Sequence, residues 1–174
     1  MPLQIIKDDI TNIKADAIVN AANTDLRMGG GVCGAIFRAA GAEKLQEACN
    51  KLAPIKTGEA VITDGFNSKA KYIIHTAGPI YSEGNSQQEK QLYDCYYNSL
   101  KLAAEKDLKS IAFPLISAGI YGYPLDKALC TAIKSINDFL SSYDKGITVY
   151  MTIFDDNTFA MAKKIYKTTN CSLM

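Results

Sequence analysis

The sequence predicts an α/β protein, a three-layer α/β/α sandwich built around a central mixed, mainly parallel sheet. Apolar segments rich in β-branched residues alternate along the chain with amphipathic stretches of helical periodicity. This alternation is typical of strands that are connected by helices. The strand segments are also nearly continuous in apolar residues, as at 111–116, which indicates a sheet covered by helices on both faces.

Six strands are predicted, at residues 3–6, 17–20, 60–63, 72–76, 110–114 and 147–153. Amphipathic helices are predicted at residues 87–105, 125–140 and 157–167, and a further helix is predicted directly after the glycines at 29–31. One face of the 125–140 helix is apolar and consists of Leu125, Ala128, Leu129, Ala132, Ile133, Ile136, Phe139 and Leu140. Because the chain has 174 residues and is 48% hydrophobic, we expect residues 1–174 to form a single domain with one buried core.

Composition excludes several classes of partner. The formal net charge is +1 and no run of Lys or Arg is present, so general nucleic-acid binding is not expected. No apolar stretch is long enough to span a bilayer and no signal peptide is recognisable, so we expect a cytoplasmic protein without a membrane partner. The five cysteines are scattered and there is one histidine, which argues against a disulfide framework and against a zinc site. Neither a metal nor a cofactor is expected.

A run of glycines follows the second predicted strand after a short loop. Gly29, Gly30 and Gly31 allow backbone N–H groups to approach an anion near the N-terminus of the next helix. Gly29, Gly31 and Gly34 satisfy the spacing G-x-G-x-x-G, but residues 23–28 separate them from the strand, and no strand ending in an acidic residue follows about twenty positions on. The sequence therefore predicts a phosphate cradle, and it disfavours both a nicotinamide-dependent oxidoreductase and a Walker loop.

A second glycine-rich segment, residues 117–124, follows the predicted strand 110–114 and precedes the predicted helix 125–140. In parallel sheets, ligands bind beyond the carboxyl ends of the strands. We therefore expect the segments that follow strands 17–20 and 110–114 to border one binding site.

Five motifs occur in order along the chain: DIT at 9–11, AIVNAAN at 17–23, GGGV at 29–32, YIIHTAGP at 72–79 and SAGIYG at 117–122. In order and spacing they resemble the macrodomain family over almost the whole chain. The resemblance implies a monomeric protein that binds ADP-ribose or an ADP-ribosylated protein. It is closest to the bacterial branch that hydrolyses ADP-ribose esters of acidic side chains or deacetylates O-acetyl-ADP-ribose.

The resemblance assigns adenine recognition to Asp9, Ile10 and Phe154. Asp9 matches the family's aspartate that accepts a hydrogen bond from the adenine amino group, and the Ile10 amide lies beside it. Phe154 matches an aromatic ring that packs against adenine. The alternative for Phe154 is a place in the core.

Two segments match the family's loops that wrap the diphosphate and the distal ribose. Their ligand-binding residues are Gly30, Gly31 and Val32 in the first segment and Ser117, Ala118, Gly119, Ile120 and Tyr121 in the second. Backbone donors suit phosphate oxygens whatever the side chains are. The alternative is that both segments are tight turns, which need glycine only for backbone freedom.

Two polar residues near these segments have different expected roles. Asn23 resembles the family's asparagine that holds the distal ribose, since an amide offers both a donor and an acceptor to a vicinal diol. The alternative is that Asn23 closes a turn. His75, the only histidine, lies inside an apolar strand, so we interpret it as a structural, hydrogen-bonded residue and not as a general base.

The chain departs from the hydrolytic branch at two positions. Those members read GGGVDG, with an aspartate that orients or activates water, and a histidine follows four residues later. Cys33 and Phe37 occupy these positions here. Cys33 either packs against the distal ribose as a small residue or forms a reactive thiolate, because a helix N-terminus lowers a thiol pKa.

The catalytic candidates are therefore Asn23, Cys33 and Tyr121. We expect an ADP-ribosylhydrolase in which Asn23 and Tyr121 orient the distal ribose and the ligand's own diphosphate positions water. The alternative is a non-catalytic module that reads ADP-ribose, which the loss of the aspartate and of the histidine favours.

Overall fold

The computed structural model describes residues 2–172, with side chains described up to residue 169. Within these residues the strands are β1 (Leu3–Lys7), β2 (Ala17–Ala22), β3 (Ala60–Asp64), β4 (Tyr72–Ala77), β5 (Ser110–Phe113) and β6 (Thr148–Ile153). All six predicted strands are confirmed, with ends that differ from the prediction by at most two residues.

The strands form one sheet in the order β1-β6-β5-β2-β4-β3. Strands β1, β6, β5, β2 and β4 run parallel to one another, and β3 pairs antiparallel with β4 at the edge. The predicted mixed, mainly parallel sheet is therefore confirmed. Its five parallel strands all end at the same edge, where ligands bind in folds of this kind.

The helices of the described chain are α1 (Gly31–Ala40), α2 (Ala42–Asn50), α3 (Gln88–Glu105), α4 (Leu125–Ser142) and α5 (Asp156–Ser172). The predicted helix at 157–167 is extended at both ends in the structure. Helix α2 was not predicted as a separate element. A short 3-10 helix, Ile10–Asn12, begins directly after Asp9, whose side chain accepts the Thr11 N–H.

Each face of the sheet carries its own layer of helices and its own core. Helices α1 and α2 cover one face, where Ile18 and Ile73 pack with Phe37. Helices α3, α4 and α5 cover the other face, where Val19 and Ile74 belong to a second core. Because successive strand residues point to opposite faces, β2 and β4 are buried on both faces, which explains why most of their residues are apolar.

In the described part of the chain, no helix combines the length and the apolar composition that crossing a membrane requires. The thiols of Cys33, Cys49, Cys95 and Cys130 are free. The fifth cysteine, Cys171, lies outside the residues whose side chains are described.

Candidate functional site

A cavity of about 460 Å³ opens at the carboxyl edge of the sheet, between the β2–α1 loop (residues 23–30) and the β5–α4 loop (residues 114–124). Its lining residues are Ala21, Ala22, Asn23, Gly29, Gly30, Gly31, Val32, Cys33, Gly78, Pro114, Leu115, Ile116, Ser117, Gly119, Ile120 and Tyr121. Its volume is in the range of small-molecule sites. The expectation that two glycine segments border one cavity is confirmed.

The glycines of the β2–α1 loop leave the cavity open at the N-terminus of α1. A Cβ atom added to Gly29, Gly30 or Gly31 would meet no other atom within 4 Å, and Gly31 has a φ of +57°. Gly30 caps α1 without a side-chain hydrogen bond. Since the first N–H groups of a helix have no partner within the helix, this end of α1 offers backbone donors to an anion.

Asn23 lies at the start of the β2–α1 loop and lines the cavity. Its Nδ2 donates to the Arg27 carbonyl at 2.9 Å, and its Oδ1 accepts the Arg27 N–H at 3.0 Å. The amide therefore closes the loop, as the alternative interpretation expected. It keeps one N–H and one lone pair for a ligand, because an amide can form four hydrogen bonds. Contact between Asn23 and a ribose stays a prediction.

The β5–α4 loop is fixed by a residue in the left-handed region and by its neighbours. Ser117 has a φ of +68°, and its hydroxyl donates to the Pro79 carbonyl at 2.8 Å. The Tyr121 carbonyl accepts the Tyr81 N–H at 2.8 Å. These bonds join the loop that follows β5 to the one that follows β4, and they hold Tyr121 at the cavity wall.

Not all predicted residues of the two glycine segments line the cavity. Ala118 is absent from the lining. The predicted residues that do line the cavity are Asn23, Gly30, Gly31, Val32, Cys33, Ser117, Gly119, Ile120 and Tyr121. Val32 and Ile120 have exposed fractions of 41% and 95%. These two apolar side chains, one from each loop, therefore stand at the rim of the cavity.

The predicted adenine-binding residues lie beyond the cavity lining, at the ends of β1 and β6. The Asp8 N–H donates to the Ile153 carbonyl at 3.2 Å, which brings Asp9 and Phe154 to the same edge of the sheet. Asp9 Oδ1 accepts the Thr11 N–H at 2.9 Å and the Thr11 hydroxyl at 2.7 Å. Ile10 is buried. Adenine recognition by these residues stays a prediction.

The alternative placement of Phe154 in the core is wrong, because its side chain is 79% exposed. It follows β6, the neighbour of β5, whose own loop borders the cavity. An exposed aromatic ring at this edge is suited to stacking against a flat, aromatic ligand.

Cys33 and Phe37 lie one turn apart on α1, and both are buried. The Cys33 thiol lines the cavity and lies 3.9 Å from the Arg27 carbonyl, at the limit for a sulfur hydrogen bond. Phe37 packs in the core against the edge of the His75 ring, with centroids 6.4 Å apart. The small thiol-bearing residue that the sequence places at position 33 therefore forms part of the cavity wall.

His75 lies in β4, is fully buried and is hydrogen-bonded on both ring nitrogens. Nδ1 lies 3.1 Å from Asn20 Nδ2, and Nε2 lies 3.0 Å from Thr63 Oγ1. These partners fit a neutral ring protonated at Nε2. Burial lowers the pKa of His75 to about 4. The prediction of a structural histidine is confirmed.

The cavity is electrically neutral. Of the described residues that line it, none is a carboxylate, a lysine, an arginine or a histidine. An anionic ligand must therefore be held by backbone N–H groups and the dipole of α1. Elsewhere in the described chain, no group of three or more His, Cys, Asp or Glu is placed to hold a metal ion.

Sequence reasoning missed several wall residues. Pro114, Leu115, Ile116 and Gly78 line the cavity at the ends of β5 and β4. A Cβ atom on Gly78 would clash with Ser117 Oγ and lie 2.5 Å from Ile116 Cγ2, so a larger residue there would displace side chains of the β5–α4 loop. Gly78 was recognisable, because it ends a predicted parallel strand and therefore belongs to the same edge.

The fold and the site define the class of protein. It is an α/β/α domain with a neutral cavity, bordered by two glycine-rich loops, at the carboxyl edge of its sheet. Comparison with known proteins specifies the family: the pattern of the Macro domain family matches residues 19–132. The chain belongs to the macrodomain family.

Individual relatives cover almost the whole chain. An uncharacterized protein of Fusobacterium nucleatum is 50% identical over 170 residues, with 95% of this chain and 94% of that protein covered. An O-acetyl-ADP-ribose deacetylase of Escherichia fergusonii is 42% identical, with 94% of each chain covered. The Oceanobacillus iheyensis macrodomain, solved with ADP, superposes with a TM-score of 0.93 at 40% identity and covers 98% of this chain and 92% of its own.

Proposed function

We propose that this protein binds ADP-ribose in the cavity between the β2–α1 and β5–α4 loops and hydrolyses ADP-ribose esters there. The substrates are O-acetyl-ADP-ribose or proteins mono-ADP-ribosylated on Asp or Glu. The observation that carries the proposal is the pair of glycine loops that enclose a neutral cavity at the N-terminus of α1.

ADP-ribose binding is supported by the backbone N–H groups that the glycine loops offer at the cavity. A diphosphate needs several N–H groups without competing carboxylates, and the lining provides this arrangement. A mutant of the Oceanobacillus iheyensis macrodomain has been solved with ADPR, and its fold matches this chain with a TM-score of 0.92. Asp9 and Phe154, at the ends of the adjoining strands, would then contact the adenine of the ligand.

Hydrolysis is supported by the relatives and by the polar residues at the cavity wall. Two curated relatives, 42% and 44% identical to this chain, are O-acetyl-ADP-ribose deacetylases. In the proposed reaction, Asn23 and Tyr121 hold the distal ribose against the wall. Water bound to the ligand's diphosphate attacks the ester carbonyl, and the ribose oxygen leaves with a proton.

The second candidate is a non-catalytic ADP-ribose reader, and the observation that favours it is the thiol at residue 33. Solved mutants of the Oceanobacillus iheyensis macrodomain change an asparagine, a glycine seven positions later and an aspartate three positions after that. Asn23, Gly30 and Cys33 have the same spacing. Cys33 thus stands where that protein has an aspartate, and general-base assistance is worth about a hundredfold or more in rate.

The test follows ADP-ribose release in single turnover, from O-acetyl-ADP-ribose and from a glutamate-ADP-ribosylated protein. We expect slow release by the natural protein and release about a hundredfold faster by Cys33→Asp, because a carboxylate orients and activates water. Cys33→Ser, which keeps the size of the side chain without the charge, should stay at the natural rate. Asn23→Ala should abolish release.

Binding is measured in parallel by calorimetry with ADP-ribose. Binding without release by the natural protein, together with release by Cys33→Asp, would identify a reader on a hydrolase scaffold. Failure of the natural protein to bind ADP-ribose would refute both candidates.

A further inference from the structure

Helix α2 contributes a side chain to the β2–α1 loop from outside the cavity. Gln46 Oε1 accepts the Met28 N–H at 2.9 Å, and Gln46 Nε2 donates to the Leu26 carbonyl at 2.9 Å. Both ends of one amide therefore bind the backbone of the loop. Gln46 is not among the residues that line the cavity, so any effect on a ligand must pass through this loop.

The loop that Gln46 binds is held in a conformation that it would not adopt readily alone. Leu26 has a φ of +55°, the left-handed region that an L-residue with a bulky side chain rarely occupies. Its side chain is nevertheless buried, with an exposed fraction of 1%. Such a residue persists only where its surroundings determine the backbone, and the two Gln46 bonds act on the carbonyl of Leu26 and on the N–H of Met28.

The next residues of the loop connect this anchor to the ligand site. Arg27, between the two residues that Gln46 binds, forms both hydrogen bonds with the Asn23 side chain. Gly29 and Gly30 follow Met28 directly and line the cavity. Gln46 thus fixes the segment from which both Asn23 and the glycine backbone approach the ligand.

We propose that Gln46 is a positioning residue of the ADP-ribose site, which sets the β2–α1 loop so that Asn23 and the backbone N–H groups after Met28 meet the distal ribose and the diphosphate. This inference rests on the proposed function. Because the adenine end of the ligand lies at β1 and β6, on the far side of β5 from this loop, Gln46 acts on the distal half of the ligand alone.

The test compares two ligands by calorimetry on the full chain: ADP-ribose, which spans the site, and AMP, which lacks the distal half. In Gln46→Met, a variant of similar size without hydrogen-bonding groups, we expect the Kd for ADP-ribose to rise about tenfold and the Kd for AMP to stay within about twofold. Gln46→Glu, which keeps the acceptor for Met28, should lie between Gln46→Met and the natural protein.

The matched control is Asn50→Ala. Asn50 Oδ1 accepts a further hydrogen bond from Gln46 Nε2 at 2.9 Å, but Asn50 does not bind the loop backbone as Gln46 does. Removal of the Asn50 amide should therefore leave the affinities for ADP-ribose and AMP unchanged. Hydrogen exchange supplies a second readout, since the Met28 amide should exchange faster in Gln46→Met and not in Asn50→Ala.

Two results would overturn the inference. One is a Gln46→Met protein that binds ADP-ribose as tightly as the natural protein does. The other is an equal loss of affinity for both ligands, or a fall in binding stoichiometry, which would indicate general destabilisation. If the natural protein itself fails to bind ADP-ribose, the proposed function fails first, so the two failures are distinguishable.

Discussion

The two loops that enclose the cavity are each held by one side chain from a helix, but the two side chains differ in burial. Tyr96 of α3 is fully buried; its hydroxyl accepts the Ile116 N–H at 3.0 Å and donates to the Pro114 carbonyl at 3.3 Å. Gln46 of α2 is only partly buried and binds Leu26 and Met28 in the same two-ended manner.

The difference in burial separates stability from binding. Backbone groups in the core that lose their hydrogen-bond partner cannot bond to water instead, so each such loss destabilises the fold. Groups near the surface are rehydrated when their partner is removed, so the loop loses its fixed position while the fold persists. The first residues of the β5–α4 loop are therefore tied to the core through Tyr96, whereas the Gln46 bonds to the β2–α1 loop can be lost without unfolding the domain.

The largest expected effect is that of Tyr96→Phe. This change removes one hydroxyl and leaves the Ile116 N–H and the Pro114 carbonyl buried without that partner. We expect the free energy of unfolding to fall by about 3 kcal/mol, which urea denaturation would measure.

Tyr97→Phe is the matched control for Tyr96→Phe. Tyr97 is the next residue of α3 and is only partly buried, and it stacks against Tyr93. Removal of its hydroxyl should change stability by no more than about 0.5 kcal/mol. Equal effects of the two substitutions would show that the hydroxyl bonds of Tyr96 do not stabilise the fold.

The next effect is a dependence of stability on pH, which arises from His75 in β4. His75 lies 3.8 Å from the Cys49 thiol of α2, whose pKa burial raises to about 11, so this thiol stays neutral. The pKa of His75 is lowered from 6.5 to about 4. As the pH falls through 6.5, His75 is therefore protonated in the unfolded chain, whereas in the folded protein it stays neutral until about pH 4.

Stability contributed by the neutral ring is fully present above pH 6.5 and is lost towards pH 4. We expect the free energy of unfolding to fall by about 2 kcal/mol between about pH 7.5 and about pH 5. His75→Gln, which does not titrate, should lack this loss in the same urea experiment. Protection of α2 amides, corrected for the intrinsic pH dependence of exchange, should fall more at the lower pH than protection of α3 amides. The reverse order would contradict the comparison.

The smallest effect is expected for Ser117→Ala. The Ser117 hydroxyl joins the β5–α4 loop to the Pro79 carbonyl, but Tyr96 and the loop's own backbone bonds remain. We expect a loss of about 1 kcal/mol in thermal or urea unfolding, with affinity for ADP-ribose lowered by less than about threefold. A large loss of affinity would mean that the Ser117 hydroxyl positions this loop for the ligand, as Gln46 is proposed to position the β2–α1 loop.

Much of the fold was predictable because periodicity reflects burial. Nearly continuous apolar strand segments, as at 111–116, predicted a sheet covered on both faces, and the structure has helices on both. The division between α1 and α2 was not predictable from that pattern. The chain turns between them at Gly41, whose φ is +99°, within a single stretch of helical periodicity.

The candidate site was predicted in part. Glycine segments at the ends of two parallel strands indicated the cavity, because the carboxyl edge of a sheet brings such segments together. The role of Gln46 was not predictable, since nothing in the spacing of the sequence places a residue of α2 against Leu26 and Met28. The hydrogen bonds between the Asn23 amide and the Arg27 backbone correspond to the alternative prediction, in which Asn23 closes a turn.

The sequence by itself determined the alternation of strands and helices, the small net charge of +1, and the family to which its motifs belong. These are properties of residue type and spacing. The tertiary structure decided which side chains fix the two loops: that Tyr96 does so from the core and that Gln46 does so from a partly exposed position. Such choices depend on contacts between residues far apart in the chain, and these form only when the helices pack on the sheet.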